Sequence, residues 1–109
     1  MFPEIDQRRF SQLHATGARV VDVREPDEYR AGHVPGAQLM PLHVLGARAP
    51  ELPTNAPVYV ICQSGARSAE ATQLLRNAGV DAINVQGGTA AWAQAGKPIE
   101  HGIGAETTR

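Results

Sequence analysis

Val58-Tyr59-Val60-Ile61 runs into Cys62-Gln63-Ser64-Gly65-Ala66-Arg67 and then into Ser68-Ala69-Glu70-Ala71-Thr72-Gln73-Leu74-Leu75. An apolar run rich in β-branched residues, a small polar stretch containing glycine, and a segment with apolar residues at helical spacing spell strand, loop and helix. A strand that feeds a loop at a helix N-terminus aims backbone N–H groups at the loop centre, where they attract an anion. Cys62, the only cysteine among 109 residues, opens that loop. A sulfur in this position is expected to be held as a thiolate. The plainer reading is a buried structural thiol. Such thiols sit within strands or helices, and this one stands at the start of a polar loop.

The same alternation continues on both sides. Val20-Val21-Asp22-Val23 and Ala82-Ile83-Asn84-Val85 barely alternate in polarity, which suits strands covered on both faces. A further strand is predicted over Ala37-Gln38-Leu39-Met40, and a short one before Asp6. Helices are predicted from the cap Asp6 through Ala15 to Gly17, and from Pro26 through Ala31 to Gly32. Two more are expected from Ser68 to Ala78 with Gly79 as the stop, and from Thr89 to Ala95 before Gly96. Between Leu42 and Pro57, three prolines and mixed polarity predict a short helix and a loop. Apolar runs alternating with helices describe an α/β fold whose parallel sheet carries helices on both faces. The chain reads as one domain over residues 1–103, followed by a small polar tail, 104–109, expected to be disordered.

Composition narrows the function. A net charge of -1 creates no field to recruit nucleic acid or an anionic membrane surface. One cysteine excludes an internal disulfide and a thiolate-rich metal site. His14, His33, His43 and His101 lack the spacing of a metal pair, so neither metal nor other cofactor is expected. No basic stretch followed by an apolar core opens the sequence, and the expected location is cytoplasmic.

Three motifs carry a resemblance. Asp22-Val23-Arg24-Glu25-Pro26-Asp27-Glu28-Tyr29 with Gly32-His33-Val34-Pro35-Gly36-Ala37 resembles the amino-terminal signature of rhodanese-like domains. Cys62-Gln63-Ser64-Gly65-Ala66-Arg67-Ser68 resembles their active-site loop. Gly87-Gly88-Thr89-Ala90-Ala91-Trp92, with Gly96-Lys97-Pro98 after it, resembles their closing motif. The motifs fall in the family's order within a core of residues 17–99, and the whole chain is similar to single-domain thiosulfate sulfurtransferases. The resemblance implies a rhodanese-like fold with a central parallel sheet of about five strands. It also implies transfer of a sulfane sulfur through a cysteine persulfide.

Chemistry at the loop leads to the same place. A helix terminus contributes about 0.3–1 kcal/mol to a nearby charge, which lowers a thiol by roughly one pKa unit. Loop N–H groups and the Arg67 guanidinium are expected to supply the rest. Cys62 is then the catalytic nucleophile, with Gln63, Ser64, Gly65, Ala66 and Arg67 binding the substrate. Arg67 is expected to take the sulfonate oxygens of a thiosulfate-like donor. With no second cysteine to resolve the persulfide, the acceptor comes from outside: a small thiol, cyanide, or a thioredoxin-like or other protein. A persulfide carrier serving one protein partner is the alternative, and a non-enzymatic module on the same fold is a third. Phosphoryl transfer is the rival chemistry. Cysteine-dependent phosphatases, including those resembling this fold, separate Cys and Arg by five residues, whereas Cys62 and Arg67 are separated by four.

Asp22 and Arg24 end an apolar run, where ligands bind in open α/β sheets, and are expected to brace the site. A structural ion pair without substrate contact is the favoured form of that role. Glu25 reads as a helix cap, and His33 as a structural residue that ties its turn through hydrogen bonds. Trp92 reads as core. His14, His43 and His101 are expected at the surface.

Overall fold

The computed structural model describes residues 2–103, and the tail expected to be disordered, 104–109, lies outside them. Five strands, β1 (Glu4–Ile5), β2 (Arg19–Asp22), β3 (Gln38–Leu39), β4 (Val58–Ile61) and β5 (Ala82–Val85), pair in parallel in the order β1-β5-β4-β2-β3. The helices are α1 (Gln7–Ala15), α2 (Pro26–Ala31), α3 (Leu45–Arg48), α4 (Ala66–Asn77) and α5 (Gly88–Gln94). This is the expected α/β class and the expected number of strands.

Side-chain alternation splits the interior into two layers. Val21, Val23, Val58, Val60 and Cys62 face Leu45 of α3 and Ala71 and Leu75 of α4. Val20, Tyr59 and Ile61 face Phe10 of α1, Tyr29 of α2 and Trp92 of α5. All four residues of β4 are buried because both sheet faces are covered, and so the strand reads as an unbroken apolar run. Asp6 caps α1 by accepting the Arg9 N–H at 2.8 Å. Among the described residues, no helix is long and apolar enough to cross a membrane.

Several boundaries move. The strand expected at 37–40 pairs only over Gln38–Leu39, because β3 lies at the sheet edge with β2 as its one neighbour. The proline-rich stretch winds as α3 between 3₁₀ turns at Leu42–Val44 and Ala49–Glu51. The start of α4 moves from Ser68 back to Ala66.

Topology sets the crevice. The crossover after β2 leads outward to β3, and the crossover after β4 leads the other way to β5. Neighbouring strands whose connections diverge leave a gap at their carboxyl ends. Asp22 ends β2 and Cys62 follows β4, so both stand at that gap.

Candidate active site

Cys62 is 1% exposed, and its Sγ accepts the Gly65 N–H at 3.1 Å. Gly65 turns the chain at a φ of +113° and is the N-cap of α4. An N-cap side chain normally accepts the N–H of the third helical residue, but glycine has none to offer. That residue is Ser68, whose N–H favours the charged form of the Cys62 sulfur. The helix starts two residues earlier than the expected Ser68, and Ala66 and Arg67 lie in its first turn.

Burial pushes the Cys62 thiol up. Against it act the Ser68 hydroxyl, the Ser68 N–H and the N–H groups of Gly65 and Ser64, and the balance falls below the ordinary thiol value. Ser68 is fully buried, its Oγ has no hydrogen-bond partner among the described residues, and its hydroxyl favours the charged form of the sulfur. Sequence reasoning missed this residue. Its position at the third residue of the helix after a glycine cap was the available signal.

The other side of the loop is fixed by α5. Gly87, at a φ of +77°, caps this helix, again without a side chain. The Thr89 N–H donates to the Cys62 carbonyl at 2.8 Å and the Ala90 N–H to the Gln63 carbonyl at 3.0 Å. In a trans peptide, a carbonyl held outward turns the following N–H the opposite way. The Ser64 N–H is thereby directed to the sulfur side. Gly88 lets the two segments meet: a Cβ there would lie 2.5 Å from the Cys62 carbonyl oxygen and 2.6 Å from that of Gln63.

Asp22 and Arg24 form a buried pair, 0% and 2% exposed, with Nη2 to Oδ2 at 2.8 Å and Nε to Oδ1 at 3.0 Å. Arg24 also donates to the Gly32 carbonyl at 2.8 Å and to the Gln63 Oε1 at 3.0 Å. Its fork thus ties β2, α2 and the Cys62 loop together. Arg67 meets the Glu28 carboxylate with both terminal nitrogens, at 2.7 and 2.8 Å. That pairing holds the Glu28 carboxyl down to about 2 and Arg67 above its ordinary value. Glu28 was another omission. It stands three residues after Glu25 and accepts the Glu25 N–H at 3.1 Å in a capping box, a spacing legible in the sequence.

Ser64 and Gln63 are exposed, and Gly65 and Arg67 are half-buried. Beside Gln63 a cleft of about 470 Å³ opens between α2 and α5, with Arg24, Glu28, Ala31, Thr89, Ala93 and Ile99 among its walls. His33 is structural: its Nδ1 lies 2.8 Å from the Tyr29 carbonyl oxygen, and its ring stacks on Tyr29 at 3.6 Å. His14 departs from the surface role expected of it. Its Nε2 is 2.7 Å from the Pro35 carbonyl oxygen, and its ring meets Trp92 edge-on at 5.0 Å.

A family model described as Rhodanese-like domain matches residues 6–95. An uncharacterized protein of Bacillus subtilis, YqhL, is 45% identical over 76 residues, covering 69% of this chain and 60% of that protein. The chain therefore spans less than two thirds of that relative's length. A protein of Allochromatium vinosum named sulfurtransferase is 39% identical over 102 residues, covering 91% of this chain and 95% of its own. Among solved structures, a rhodanese-related protein of Thermoplasma volcanium superposes with a TM-score of 0.84 at 28% identity, covering 91% of this chain and 98% of that one.

Proposed function

This chain belongs to the rhodanese-like domain family, and on that footing we propose that it moves a sulfane sulfur through a persulfide on Cys62. The sulfurtransferase-named relative supports sulfur transfer as the general reaction. The observation that carries the finer reading is the buried Cys62 sulfur, which accepts the Gly65 N–H at 3.1 Å and whose charged form is favoured by the Ser68 hydroxyl and by the N–H groups of Ser68 and Ser64.

The Cys62 thiolate attacks the outer sulfur of thiosulfate or a similar donor. The bond to the sulfonate sulfur breaks, and its electron pair leaves with sulfite. Cys62 keeps the transferred sulfur as an anionic persulfide, which the same amides stabilise because they were oriented before the reaction began. A thiolate or cyanide then attacks the outer sulfur and returns the thiolate. Gln63, Ser64, Gly65, Ala66 and Arg67 form the rim that receives the donor. Asp22 and Arg24 act one step back, by holding Gln63 and the end of β2 in place. The four-residue interval between Cys62 and Arg67 gives a smaller amide ring than phosphate takes, which supports sulfur over phosphoryl transfer. We assign the activity to residues 1–103 as one domain, acting in the cytoplasm on a small thiol, cyanide or a protein thiol.

Incubation with thiosulfate followed by intact-mass measurement is expected to add one sulfur atom to the chain and none to Cys62→Ser. Unchanged thiocyanate formation by Cys62→Ser would falsify the assignment. A rate with small acceptors far below that with a protein partner would convert the enzyme reading into a carrier reading.

A further inference from the structure

The two arginines at the Cys62 loop already have carboxylate partners. Arg24 is closed against Asp22 inside the protein, and Arg67 is held by both oxygens of Glu28 at the rim. Thiosulfate is a dianion, so its attack by a thiolate gathers three negative charges. An organic persulfide brings one charge at most, and none in the protonated form that the thiolate attacks. In that reaction the Cys62 thiolate attacks the outer sulfur, the S–S bond breaks, and the organic thiolate departs with the electron pair. The persulfide proton then passes to the departing thiolate, leaving Cys62 persulfide and a neutral thiol. Sulfur and charge balance in both cases, but the first needs positive charge that Glu28 has already engaged.

Next to Gln63, the α2–α5 cleft offers what an organic donor requires. Its volume, about 470 Å³, falls within the range of small-molecule sites. Ala31, Ala90, Ala93 and Ile99 give it an apolar surface. Thr89, 5% exposed, is among its walls, and its buried Oγ1 has no hydrogen-bond partner among the described residues. Glu28 belongs to both features, since it pairs Arg67 and forms part of the cleft wall.

We propose that Glu28 and the α2–α5 cleft select an organic persulfide over thiosulfate as the sulfur donor, with the donor's organic body seated between Ala31 and Ala93. This rests on the Cys62 persulfide reading and narrows its substrate. Glu28 acts as a selectivity residue through Arg67.

The test compares rate constants for loading one sulfur onto the full chain, by quenched intact mass, from thiosulfate and from N-acetylcysteamine persulfide. Glu28→Gln keeps the size of the side chain and is expected to raise kcat/KM for thiosulfate roughly three- to tenfold relative to the persulfide, mostly through KM. Glu28→Asp, which keeps the charge, is expected to retain the original ratio. Ala93→Phe, on the exposed side of the cleft, is expected to lower kcat/KM for the persulfide more than for thiosulfate. Parallel changes with both donors in Glu28→Gln and Ala93→Phe overturn the selectivity proposal and leave the Cys62 reading standing. Failure of the unaltered protein to take sulfur from either donor overturns both.

Discussion

The Thr89 N–H donates to the carbonyl of Cys62 at 2.8 Å, so the first turn of α5 is capped by the residue whose sulfur accepts the N–H of Gly65, the N-cap of α4. Both helices begin at glycines, Gly65 and Gly87, that carry no capping side chain. One short loop satisfies two helix ends, with sulfur and amides on one side and carbonyls on the other. The loop conformation is therefore tied to the starts of both helices.

Gly88 is where this arrangement is most vulnerable. A Cβ at this position would meet the Cys62 and Gln63 carbonyls at 2.5 and 2.6 Å, on a backbone at φ +60°. At Gly17, with φ +90°, a Cβ would meet nothing within 4 Å. Gly88→Ala should cost about 3 kcal/mol or more in urea unfolding and abolish sulfur loading. Gly17→Ala should cost about 1 kcal/mol and keep loading. Equal losses at the two positions would mean that the contact with the loop is unimportant.

The buried Ser68 hydroxyl should govern the thiolate. Ser68→Ala removes a donor that favours the charged sulfur, and the Cys62 pKa should rise. Ultraviolet thiolate absorbance followed against pH reads the shift directly, and loading at neutral pH should slow accordingly. An unmoved titration would leave the backbone amides as the sole support of the charge.

Arg24 should matter more to stability than its distance from the chemistry suggests. Arg24→Met leaves Asp22 buried without its counter-ion, and removing one partner of such a pair costs about 3–5 kcal/mol. Chemical denaturation checks the figure. The double variant Asp22→Asn with Arg24→Met should recover part of the loss.

Glu28 gives a pH signature. Its folded carboxyl lies at about 2, below the ordinary value of 4.5, chiefly through Arg67. A depressed acid stabilises the fold fully above the unfolded value, and that contribution fades as pH falls from about 4.5 to about 2. Because the pair is more than a third exposed, screening reduces its worth to about 1 kcal/mol. The stability difference between the unaltered protein and Glu28→Gln should be largest above pH 5 and shrink toward pH 2 in urea titrations.

The sequence was most legible where local rules and tertiary packing agree. The buried runs at 58–61 and 82–85 became β4 and β5 at the expected residues, and Asp6 and Gly17 bound α1 as their capping chemistry dictates. Cys62 was brought to the expected strand end, at the divergence of two crossovers. What stayed hidden depends on contacts distant along the chain. Glu28 and Arg67 are 39 residues apart and meet only because β2 and β4 are neighbours. Ser68 was read only as the start of a helix, because nothing local shows that its hydroxyl and N–H favour a charged sulfur. His14 looked like a surface residue because Pro35 and Trp92 reach it only after folding.

The outermost strands, β1 and β3, are two residues each. A rim that short presents few open main-chain groups for a foreign strand to zip onto, so the sheet resists lateral growth into fibres. Contact with another protein would then run through side chains and loops above the strand ends rather than along the sheet edge.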